Sequence, residues 1–230
     1  MVVHHFIFLM YLQGIAIISP WSLLVEMIGW LVRVTFVLLV GVSSWFWFRK
    51  YWSGDIPKLL TTTVKRAAKV GLAAVFVTCF TVFFIPEMPV YFGVLHMITY
   101  SIVFVVPFLF IPKVAWLIGL FLIFLARLHV LVEYDLGIYW LVKASVAMPA
   151  LDYFPVLPWF GVVLIGVSVG YYMHSKNTFF EWKFKRDIAN EAVATMLAHL
   201  SWLGRNSLLL YVVHFPTLWF VTYGLRLLLS

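Results

Sequence analysis

Apolar runs of about 18 or more residues recur along the whole chain, each long enough to cross a hydrocarbon core of roughly 30 Å. A bilayer core offers no water to backbone N–H and C=O groups, so such runs must satisfy their hydrogen bonds internally, as helices. The alternating apolar–polar pattern of a membrane β-barrel is absent. Composition agrees: 64% of the 230 residues are hydrophobic and only 11% are charged, too little polar surface for a soluble domain of this length. Aromatics make up 19% and many fall near the ends of the runs, where amphipathic rings suit the headgroup region. The fold class read from these features is an all-α polytopic membrane protein. About seven transmembrane helices form one membrane domain over residues 1–230.

The spacing predicts helices over about 3–19, 22–48, 67–86, 91–111, 114–131, 156–174 and 205–228. Pro20, Pro86, Pro89 and Pro112 mark their ends. Arg49, Lys50, Lys58, Lys65 and Arg66 fall between the second and third helices, and Lys176, Lys183, Lys185 and Arg186 between the sixth and seventh. The opposite connections carry Glu87, Glu133, Asp135, Lys143 and Asp152. The positive-inside rule then predicts a multi-pass plasma-membrane protein with a cytoplasmic N-terminus. Residues 179–202 mix apolar and charged positions at helical spacing, as an amphipathic helix on the cytoplasmic interface would. Residues 132–155 are apolar but interrupted, and read as a partly re-entrant outer segment. The net charge of +7 fits basic loops against anionic lipid, so nucleic acid is not an expected partner. Cys79 is the only cysteine, which excludes an intramolecular disulfide and a zinc-thiolate centre. The first segment lacks the basic start and cleavage site of a signal peptide.

Ionisable groups inside a helical bundle are costly, so their positions carry information. Arg33 falls about 14 Å along its helix from Leu24, near mid-membrane, with Glu26 and Trp30 on the same face. A buried guanidinium there either pairs structurally or holds a substrate anion. His96 is expected about 8 Å inside the outer end of its helix, with Tyr100 one turn deeper. His129 and Asp152 also belong to the outer half. A lone helix histidine is either a hydrogen-bonded packing residue or a neutral general base. In LGRNSLLLYVVHFP, Ser207, Tyr211 and His214 form a polar stripe, and Pro216 kinks the helix beside it. His4, His5, His174 and His199 are placed at interfaces and receive no role, and Cys79 reads as a packing residue.

The segments LDYFPVLPWFGVVLIGVSVG (151–170), LGRNSLLLYVVHFP (203–216) and YFGVLHMITYSIV (91–103) resemble bacterial and archaeal proteins related to heparan-α-glucosaminide N-acetyltransferase. The resemblance implies transfer of an acetyl or similar acyl group from cytoplasmic acyl-CoA to a hydroxyl or amine acceptor, possibly a sugar, outside. His96 would then be the general base, oriented by Asp152, and His214 or Arg33 would stabilise the oxyanion. Glu26, Trp159, Asn206, Ser207 and Tyr211 would join Arg33 in binding substrate. Acyl-CoA is expected as donor substrate, with no permanently bound cofactor and no metal. An extracytoplasmic acceptor such as a glycan, the lipid bilayer and a possible homo-oligomer complete the expected partners. The first helix departs from the family pattern: Gln13-Gly14 replaces Arg-Gly, Met10 replaces an Asp, and Leu24 replaces a later polar residue. The shortened link after it leaves base duty to His96 or Glu26, or marks loss of the reaction. The alternative is a non-catalytic carrier of small solutes or lipids on the same fold.

Overall fold

The computed structural model describes residues 2–15, 22–127, 152–175 and 191–229. They form α1 (Val2–Leu12), α2 (Leu23–Tyr51), α3 (Ile56–Phe84), α4 (Val94–Phe104), a 3-10 turn (Val106–Phe110), α5 (Ala115–Arg127), α6 (Val156–Ser175), α7 (Glu191–Arg205) and α8 (Ser207–Leu229). No strand occurs among the described residues. Four helices, α2, α3, α6 and α8, are long and apolar enough to cross a membrane, and α1, α4 and α5 are shorter apolar helices. Large apolar side chains stand outward along them, Phe83 at 82% and Leu228 at 83% exposure. Such surfaces suit acyl chains rather than water. The chain is a polytopic helical membrane protein.

Three boundaries differ from those the sequence predicts. The first helix stops at Leu12 instead of running to 19, because Gly14 takes a positive φ of 73°. Ile15 N–H bonds Met10 C=O and Gly14 N–H bonds Tyr11 C=O, the paired bonds of a glycine-terminated helix end. The third helix begins at Ile56 rather than 67, since Asp55 caps it by accepting from Lys58 N–H at 3.1 Å and Pro57 sits in its first turn. Lys58, Lys65 and Arg66 therefore ride on a helix, not a loop. The fourth stops at Phe104 and continues only as the 3-10 turn, where Pro107 supplies no N–H. The predicted segment over 132–155 falls mostly outside the described residues, as do His129 and the first part of the amphipathic stretch; α7 covers its remainder.

Packing divides the chain into two compact units, Met1–Val34 with Thr178–Ser230, and Thr35–Asn177. In the first, α1 packs on α8, with His5 against His214 and Gln13 against Arg226. Both partners advance in the same direction, so the two helices run parallel. In the second, α6 is the central helix, lying against α5 and α4, while α3 packs on α4. Val163, Leu164 and Val167 of α6 are fully buried. Gly41 and Gly166 let α2 and α6 meet backbone to backbone, and a Cβ on either Gly119 or Gly161 would lie 2.5 Å from the other's carbonyl oxygen. Without a hydrophobic drive between helices in lipid, such close approach supplies the van der Waals contact that holds them. The Ser168 hydroxyl donates to Pro112 C=O at 2.7 Å and accepts from Trp116 N–H at 2.9 Å, tying the start of α5 to α6.

Candidate active site

The first unit contains a run of imidazoles. His5 Nδ1 lies 2.8 Å from His214 Nε2, the two rings tilted by only 7°. His214 Nδ1 faces the carbonyls of Tyr211 and Leu210. A carbonyl oxygen can only accept, so Nδ1 of His214 carries the proton and Nε2 of the neutral ring is a lone pair. That lone pair accepts from His5 Nδ1–H, which leaves Nε2 of His5 as the unprotonated nitrogen of the pair. The chain carbonyl–His214–His5 fixes both tautomers, as a buried carboxylate does for an imidazole in a catalytic triad. Phe215 closes one edge of His5 at 5.6 Å, and Tyr211 lies 5.2 Å from the His214 ring.

His4 and Arg33 extend this cluster. Gly29 leaves room for both: a Cβ there would stand 3.0 Å from His4 Nε2 and 3.2 Å from Arg33 Nη2. Arg33 Nε donates to Gly29 C=O at 3.1 Å, and its guanidinium lies 5.3 Å from the Trp30 ring. Among the described residues no acceptor engages its Nη groups. Glu26 is exposed on the first turn of α2. Asn206, the single residue between α7 and α8, donates to Trp202 C=O at 2.9 Å, and Ser207 is exposed at the start of α8. Arg226 reaches Gln13 at 3.3 Å.

The other expected site residues lie in the second unit. Asp152 accepts from Val94 N–H at 2.9 Å, placing a carboxylate at the positive end of α4. His96 accepts at Nδ1 from Gly93 N–H at 3.3 Å, and its Nε2 is 3.4 Å from the Thr78 hydroxyl. That hydroxyl donates to Val90 C=O at 2.7 Å, so it receives the Nε2–H of the neutral imidazole. Both nitrogens of His96 are engaged in shaping the start of α4, although both bonds are long. His96 and Asp152 therefore accept from neighbouring backbone N–H groups, those of Gly93 and Val94, at the start of α4. Trp159 is buried, its ring 4.8 Å from that of Phe154.

Sequence reasoning passed over His4 and His5. The available signal was two adjacent imidazoles in an apolar run, which intramembrane cost alone makes candidates for function.

A sequence profile of the family described as "Heparan-alpha-glucosaminide N-acetyltransferase, catalytic" matches residues 1–216 of the 230. No curated protein and no solved structure matches the chain. The matched residues include His4, His5, Arg33, His96, Asp152 and His214, whereas Arg226 lies beyond them.

Proposed function

Because the chain belongs to the heparan-alpha-glucosaminide N-acetyltransferase catalytic family, we propose that it transfers an acetyl or similar acyl group from acyl-CoA to a hydroxyl or amine acceptor, a glycan among the candidates. The donor approaches from the cytoplasm and the acceptor from outside, with the N-terminus cytoplasmic in the plasma membrane. The parallel course of α1 and α8 supports this orientation, since it puts the start of α1 beside the basic side from which α8 begins.

One observation carries the reaction: the His5–His214 bond, with His214 pinned by backbone carbonyls. His5 Nε2 takes the proton of the acceptor as its oxygen or nitrogen attacks the thioester carbonyl carbon. The C–S bond breaks, and the CoA thiolate recovers the proton from His5. Arg33, with Nη groups left over, serves the developing oxyanion. His96 and Asp152 hold the start of α4, and His96 becomes the base only if substrate displaces its two long bonds.

The test is turnover of radiolabelled acetyl-CoA by the purified chain in detergent. Release or exchange of label is expected even without a known acceptor. Binding of acetyl-CoA with no turnover under any acceptor mixture would leave the carrier reading in place.

A further inference from the structure

The second unit holds a cavity of about 600 Å³ between the end of α2, the turn from the 3-10 segment into α5, and the end of α6. Phe48 and Trp52 stack at 5.5 Å along one wall, Phe110 meets them edge-on at 5.2 and 5.1 Å, and Tyr171 stands 5.3 Å from Trp45. The turn is fixed in place, because the Ser168 hydroxyl bonds both Pro112 C=O and Trp116 N–H. Depth follows from length. The 29 residues of α2 reach about 43 Å at 1.5 Å per residue, beyond a hydrocarbon core of roughly 30 Å. Arg49 in its last turn therefore stands at headgroup level, and the cavity mouth with it.

Three features of the lining select a ligand. Arg49 and Lys113 are exposed cations that meet no acceptor among the described residues, and no acidic residue lines the cavity. Trp45 is only 5% exposed, and its indole N–H is, among the described residues, the one buried side-chain nitrogen or oxygen without a hydrogen-bond partner. An oxygen entering the cavity removes that cost. Phe110, Ile111 and Val114 line the cavity and are also exposed, so its apolar wall continues outward to the surface that lipid covers. We propose that the cavity binds an anionic glycerophospholipid, held as part of the fold rather than as a substrate. Its phosphodiester meets Arg49 in two-point fashion and Lys113 as a point charge. A phosphate or ester oxygen accepts from Trp45, and the acyl chains leave along Phe110, Ile111 and Val114. Basic pockets between spanning helices suit such headgroups. Free phosphate or a soluble nucleotide would meet the same cations and leave the apolar rim uncovered.

The test measures lipid binding to the full chain in detergent by native mass spectrometry. Phosphatidylglycerol is expected to bind and to raise the melting temperature, phosphatidylcholine to bind more weakly, and inorganic phosphate to displace neither. Arg49→Gln and Lys113→Gln should each weaken phosphatidylglycerol binding about fivefold, and together roughly thirtyfold. Trp45→Phe, which keeps a ring but loses the N–H, should weaken it about fivefold. Lys58→Gln with Lys65→Gln removes the same charge from α3, outside the cavity, and should leave affinity unchanged. Equal binding of phosphatidylcholine, or an equal loss in the α3 control, would overturn the site. Displacement of the lipid by inorganic phosphate or by CoA would overturn it in favour of a soluble anion. The lipid comparison and the displacements use the unaltered chain, so they decide the matter even where a variant fails to fold.

Discussion

His5 Nδ1 and His214 Nε2 are 2.8 Å apart although 209 positions separate them in the chain. The bond couples two imidazoles from distant parts of the chain, with the unprotonated nitrogen of the pair on His5. His5→Asn retains an N–H near the place of Nδ1 for His214 but has no basic nitrogen. Its thioester turnover should fall about 10²-fold or more, the scale of a lost general base, with acetyl-CoA affinity unchanged. His96→Ala should keep most of the rate and lose stability instead. The reverse pattern in single-turnover assays would return base duty to His96.

Asp152 holds the first N–H of α4 from outside that helix. Asp152→Ala should cost about 0.5–2 kcal/mol, as removal of a helix-start acceptor does elsewhere. Asp152→Asn should recover part of it. Denaturant unfolding in detergent measures both, and wild-type stability for the alanine variant would show the contact to be idle.

Where α2 crosses α6, a side chain on Gly166 would run into Leu38 C=O, and backbone cannot swing aside as a flexible side chain can. Gly166→Val should therefore cost roughly 1–3 kcal/mol or more. Gly204→Ala, inside α7 with nothing within 4 Å of the added carbon, is the control and should be no less stable than wild type. Equal melting temperatures for the two would mean that the helices separate freely at this crossing.

Orientation is testable by cysteine labelling after Cys79→Ser removes the exposed native thiol. Asp55→Cys, at the start of α3, should react only from the cytoplasmic side. Glu87→Cys, beyond the end of the same helix, should react only from outside. Labelling of both from one side would refute α3 as a span.

The long apolar helices were legible because their signal is local: α2, α6 and α8 lie close to where hydropathy puts them. The early start of α3 was hidden by Lys58, Lys65 and Arg66, whose charge reads as loop, although Asp55 and Pro57 spell a helix start. Gly14 similarly announces the end of α1, but the apolar residues after it masked the stop. At the site, His214, Tyr211 and Arg33 stand out as polar groups in apolar helices. His5 did not, because its role depends on a partner on α8, and no spacing within α1 encodes which distant helix will lie beside it.

That distance also orders the birth of the site. Ribosomes add about 5–20 residues per second, so His5 emerges on the order of ten seconds or more before His214. During that interval α1 has no imidazole to meet, while the helices from α2 to α6 already include the glycine crossings that bring them together. A chain broken before Ser207 would still include every residue lining the aromatic cavity between the ends of α2 and α6, from Trp45 to Tyr171. It would lack the imidazole pair. A product ending before Ser207 would therefore keep His5 but lack His214, the partner that fixes its tautomer.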